Sequence, residues 1–153
     1  MIKPSFNIRL LLPILVILSL STASMAQPSR DRVLSDLQIT EQSGQAVVDI
    51  EFNFPVRYIR HFPESQGDEL QIQFDPIAVN PNDREALYQR EAITGDEDNL
   101  ADISEVVYEG DSFSGFRVTV YFNHPQTYTV TQGGDYRSIV VTTQVSTVPP
   151  AKE

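Results

Sequence analysis

Two histidines, a block of acids and one basic, aromatic strand are the residues of this chain with chemistry to offer. His61 and His124 are the only histidines among 153 residues, and there is no cysteine. Neither histidine has a second His or a carboxylate at the spacing of one helix or strand face, whereas a metal site needs three or four converging ligands. Both read as solvent-facing or rim histidines. A Ser-His-Asp triad assembles from distant positions and stays open on these grounds. The nucleophile-elbow pattern Gly-x-Ser-x-Gly is absent, and Ser112-Phe113-Ser114-Gly115 does not fit it. Without cysteine there is no thiol nucleophile and no thiolate metal ligand.

Asp96, Glu97 and Asp98 could hold calcium, but they lack the Asp-x-Asp-x-Asp-Gly order of a calcium loop and read as a solvated charge run. Paired carboxylates for glycoside cleavage need a fixed separation in a groove. With 21 acids in the chain, some pair lies close by accident. The composition therefore points to no metal, no cofactor and no catalytic residue.

Arg57, Tyr58, Arg60 and His61 stand apart, because they cluster in one strand of an acidic chain. A guanidinium grips carboxylates with a planar fork, and tyrosine offers a flat face with a polar tip. The competing reading is an edge strand guarded by charge against unwanted pairing. Tyr128 and Arg137 are the candidates from the second half of the chain.

The elements that must position these residues show themselves as a sequence that occurs twice. Phe52-Asn53-Phe54-Pro55 recurs as Phe122-Asn123-His124-Pro125 at an offset of 70, where Tyr58 also meets Tyr128. Leu34-Ser35-Asp36-Leu37 meets Ile103-Ser104-Glu105-Val106 at offset 69, and Gly67-Asp68 meets Gly134-Asp135 at offset 67, with Ile72 opposite Ile139 and Phe74 opposite Val141. Self-similarity in so short a chain suggests one unit made of two related halves.

Period-2 alternation predicts strands over 33–39, 46–53, 56–62 and 70–74, and again over 103–109, 116–122, 126–131 and 136–145. Pro55 and Pro125 are expected to break strands, and Gln42-Ser43-Gly44, Gly110-Asp111 and Gly133-Gly134-Asp135 to turn the chain. Between the halves, Asn82 before Asp83-Arg84-Glu85 resembles a helix cap and predicts about two helical turns over 83–91. Each half is expected to form one sheet, the two sheets facing each other across their apolar sides.

Lys3 and Arg9, the apolar run Leu10–Leu20 and the small residues Ser24-Met25-Ala26 have the form of a secretory signal peptide cleaved after Ala26. The run is short of the ~20 residues that span a bilayer, so no stable membrane anchor is expected after cleavage. Without Lys3 and Arg9, nine basic residues face 21 acids, a net of −12. Such a field repels nucleic acid. The expected layout is a leader over 1–26, a lead-in over 27–32, one domain over 33–145 and a loose tail over 146–153.

Phe52-Asn53-Phe54-Pro55-Val56-Arg57-Tyr58 and Gly67-Asp68-Glu69-Leu70-Gln71-Ile72-Gln73-Phe74, behind a signal peptide, resemble the AMIN domain of bacterial envelope proteins. That resemblance implies a non-catalytic sandwich of two small sheets that localises its partners by contacting the cell wall. The chain departs from the family in having no attached catalytic or secretin region, and in its long acidic connection over 75–102. The sequence thus predicts an all-β protein: a two-layer β-sandwich of two pseudo-repeated halves with a short helix in the middle connection. Its expected role is a periplasmic module that binds peptidoglycan or an envelope protein complex. An assembly factor that pairs an exposed strand with a client is the first alternative, and a small cell-wall hydrolase the second.

Overall fold

A computed structural model describes residues 32–111 and 115–146. The expected leader, the lead-in before Arg32 and the tail beyond Ser146 lie outside these residues. The fold is all-β, with strands β1 (Leu34–Gln42), β2 (Gln45–Phe52), β3 (Val56–Phe62), β4 (Gln66–Pro76), β5 (Arg90–Thr94), β6 (Ile103–Asp111), β7 (Gly115–Gln132) and β8 (Ser138–Gln144), and one 3-10 helix over Pro81–Tyr88. All ladders are antiparallel. The main order is β1-β2-β8-β7-β4-β3, and β6 pairs β7 and β5.

Alternation decides what is buried. Ala46, Val48, Ile50 and Phe52 of β2 are buried, as are Leu70, Ile72 and Phe74 of β4, Val118, Val120 and Phe122 of β7, and Ile139 and Val141 of β8. They belong to one hydrophobic cluster. Phe52 meets Phe74 at a ring-centroid distance of 4.8 Å although β2 and β4 share no ladder, so side chains from separate ladders close on one core. Each buried large apolar side chain contributes roughly 1.5–3 kcal/mol.

The registers repeat at the offsets read in the sequence. Leu34 pairs with Phe52 and Ile103 with Phe122; past an irregularity in each strand, Asp36 pairs with Glu51 and Glu105 with Tyr121. Tyr58 pairs with Phe74 and Tyr128 with Thr143. Across the halves, Ile50 pairs with Ile139 and Leu70 with Val120. The offset is 69 or 70 throughout. The offset of 67 that set Ile72 against Ile139 is therefore corrected: Leu70 is the counterpart of Ile139 and Ile72 of Val141.

Other expectations are corrected too. The halves do not each form a sheet of their own, since β2 pairs β8 and β4 pairs β7. Each exchange satisfies backbone groups that a separate hairpin would leave open. Pro125 does not break its strand. β7 runs on for 18 residues, and 123–125 have no registered strand partner, so the missing N–H of proline costs no ladder bond there. At this point β7 leaves β6 and takes up β8. Gly110-Asp111 lies within β6 rather than in a turn. The helix over 83–91 becomes a 3-10 helix over 81–88 behind Asn80, without a side-chain cap, and Arg90–Thr94 forms β5 instead.

The Tyr108 hydroxyl donates to the Leu87 carbonyl at 2.5 Å and fastens the 3-10 helix to β6. Gly110 is required beside it, because a Cβ there would stand 1.6 Å from the same carbonyl oxygen. Glu91, almost fully buried, accepts from the Val33 and Leu34 N–H groups at 2.6 and 2.9 Å and ties the start of β1 to β5.

Candidate functional site

The sheet divides the basic, aromatic strand between its two faces. An irregularity between Tyr58 and Arg60 in the β3–β4 ladder breaks the alternation of β3. Arg57, Arg60 and Phe62 pair with Asp75, Gln73 and Gln71, the outward residues of β4, while Tyr58 and His61 pair with the buried Phe74 and Ile72.

On the inner side, His61 stands between Tyr58 and Tyr128. The His61 ring lies 5.9 Å from Tyr58 and 6.4 Å, edge-on, from Tyr128. His61 Nε2–H donates to the Glu64 carbonyl at 2.8 Å, because a carbonyl can only accept. With Nε2 as the donor nitrogen, Nδ1 is placed to accept the Tyr58 O–H, 2.6 Å away. Burial raises the Tyr58 phenol above its ordinary pKa and keeps it a donor. Burial, with Asp68 as a smaller cause, does the same for Tyr128. Tyr128 is 2% exposed and supports His61 from behind.

On the outer side, a row of polar side chains crosses five strands. Arg60 faces Gln73, Gln73 faces Arg117, Arg117 faces Glu109 and Glu109 faces Arg90. Arg60 Nε donates to Gln73 at 2.8 Å, Arg117 donates to Glu109 through Nε and Nη2 at 3.0 and 2.6 Å, and Arg90 stands 3.8 Å from Glu109. The neighbouring row begins at Phe62, which is 73% exposed, and continues through Gln71 and Thr119. Arg60, Phe62, Gln71, Gln73 and Arg117 line an open groove of about 470 Å³, which His61 also borders although it pairs with the buried Ile72. Phe62, Gln71, Gln73 and Arg117 were missed in the sequence, because Arg117 and the glutamines each look like ordinary outward strand residues until the register aligns them.

Two candidates lie elsewhere. Arg57 is held by Asp75 at 2.9 Å. Arg137 donates to the Asn53 carbonyl at 3.0 Å and straps the β2–β3 corner.

A larger cleft, about 660 Å³, lies along the acidic loop of 95–99 and includes Asp102 and His124. His124, whose carboxylate partner the sequence spacing did not reveal, donates from Nδ1 to Asp102 at 2.8 Å. Asp102 also accepts from Asn123 and Gln126 at 3.2 Å each. This is the base-and-orienter half of a triad, but among the described residues no hydroxyl bonds Nε2 of His124 and no three His, Cys, Asp or Glu side chains converge on a metal position. The groove is the smaller of the two, yet it gathers cations, amides and an exposed ring on one surface.

The fold is all-β, with an open groove on the outer face of β3, β4 and β7 that Arg60 and Arg117 line. The chain matches no protein-family model, no curated protein and no solved structure.

Proposed function

We propose that this protein is a non-catalytic module of the bacterial envelope, folded as a two-layer sandwich of two related halves, that holds carboxylate-bearing wall material on its outer β3–β4–β7 face. The row Arg60–Gln73–Arg117–Glu109–Arg90 beside exposed Phe62 carries this reading. Three guanidiniums against one carboxylate make a local excess of positive charge on a chain of net charge −10. Guanidiniums fork onto carboxylates, amides bond hydroxyls, and an exposed ring packs on the apolar face of a sugar. Peptidoglycan presents all three partners, as does an acidic envelope protein in part. The resemblance to AMIN domains, an export signal and recurrent registers support the same reading.

Co-sedimentation of the purified protein with peptidoglycan sacculi tests it. Wild type is expected in the pellet, released by salt as exposed charge contacts are screened. Arg60→Ala with Arg117→Ala should abolish retention, while Arg57→Ala, which lies outside the groove lining, should change it little. Retention unaffected by the double substitution, or no retention of wild type, overturns the proposal.

A further inference from the structure

We infer that a second surface, the seam between β1 and β5, takes an extended cationic segment of a partner protein by strand addition. β1 and β5 each end a run of pairing: β1 is bonded to β2 alone and β5 to β6 alone. They lie side by side without a ladder between them, fastened at one end by the Glu91 carboxylate on the Val33 and Leu34 N–H groups. Beyond that clamp the seam opens into a cleft of about 300 Å³. Its walls are Leu37 and Ile39 from β1, Ile93 from β5 and Leu100 from the following loop. All four are only half-buried against the core. The opening is thus a gap in the closure of the core, where apolar side chains and strand edges coincide.

An added strand satisfies both. Its backbone bonds an edge, and alternate side chains enter the gap. Charge selects the occupant. Asp96 and Asp98 stand exposed at the rim, and the lining contains no Lys or Arg. A second copy of this acidic chain would bring like charge to the same place. A segment alternating aliphatic residues with Lys or Arg puts its apolar side chains into the gap and its cations against the rim. At β1 the Leu37 N–H meets only the exposed carboxylate of its own neighbour Asp36, at 2.9 Å, a contact an incoming strand displaces; at the start of β3, by contrast, the Val56 and Tyr58 N–H groups are taken by Tyr136 O and Gln132 Oε1, each at 2.7 Å.

The test uses the whole protein with a fluorescent peptide of alternating valine and lysine, and a valine–glutamate peptide as the control. Anisotropy should show binding of the lysine peptide alone. Asp98→Lys, at an exposed position, should weaken it by about tenfold, a loss of about 1.4 kcal/mol, and Ile93→Lys should abolish it with the circular dichroism of the strands retained. Hydrogen exchange should slow at β1 and β5 amides when peptide is added. Equal binding of both peptides, unchanged binding by Asp98→Lys, or protection confined to other strands overturns the inference. So does protection of β1 and β5 that rises with protein concentration in the absence of peptide, which would make a second copy the occupant.

Discussion

Asn53 and Asn123 hold matching corners of the molecule. Each receives no helical or hairpin turn of its own; instead its backbone N–H reaches the residue ahead of the neighbouring strand, Val33 at 3.0 Å and Asp102 at 2.8 Å. Each side-chain amide turns the same way, Asn53 to the Arg32 carbonyl at 2.7 Å and Asn123 to Asp102. Replacing either by alanine should cost about 1 kcal/mol in urea denaturation, the net worth of a hydrogen bond. Asn123→Ala should cost the more, because Asp102, itself at a positive φ of 56°, loses a partner that holds it there.

Glu91→Gln should destabilise by about 1–3 kcal/mol, since one oxygen cannot replace two at the paired Val33 and Leu34 N–H groups. Amide exchange at these two residues should accelerate more than exchange in β4. Equal acceleration everywhere would show that the clamp acts only through global stability.

Tyr108 makes stability fall in alkali. Burial first, then the charge of Glu91 and the neighbouring Tyr88, raise its phenol pKa in the folded protein. The folded state then holds a proton that the unfolded state releases near pH 10, so unfolding becomes easier as pH rises above that value. The contribution is whole below about pH 10 and is lost as pH climbs toward the folded value. Melting temperature against pH should bend down there, and Tyr108→Phe should flatten the bend. The same substitution leaves the Leu87 carbonyl without its donor, so the variant should be less stable near neutrality by about 1–3 kcal/mol.

His61 and His124 should display opposite neutral tautomers. Nε2 of His61 donates to a carbonyl, whereas Nδ1 of His124 donates to the Asp102 carboxylate. Nitrogen NMR shifts of the two imidazoles distinguish these forms. Tyr58→Phe should broaden the His61 signals by removing the donor to Nδ1 and leave His124 unchanged.

Strand positions were legible because β2, β4 and β7 carry clean alternation; the Val56–Phe62 strand has the bounds expected of it. The offset of 69–70 was legible for the same reason. Pro125 misled because a proline reports a missing donor, not whether a neighbour needs one. β5 was hidden because Arg90–Thr94 carries only Ala92 and Ile93 as aliphatic residues and looks like the end of a helix. The site was half visible. Arg60 stood out by charge, but its alignment with Gln73 and Arg117 depends on a one-residue irregularity in β3 that no local pattern announces. Tyr128 and Arg137 drew attention by type, and the fold uses them as a prop and a strap.

β7 serves both groups of ladders with one uninterrupted backbone. The ladders on either side of 123–125 are therefore expected to melt as a single cooperative body. A nick at 123–125, the one stretch of β7 without a strand partner, would sever that mechanical link while sparing every ladder bond, and would reveal whether the halves recognise each other without a shared spine.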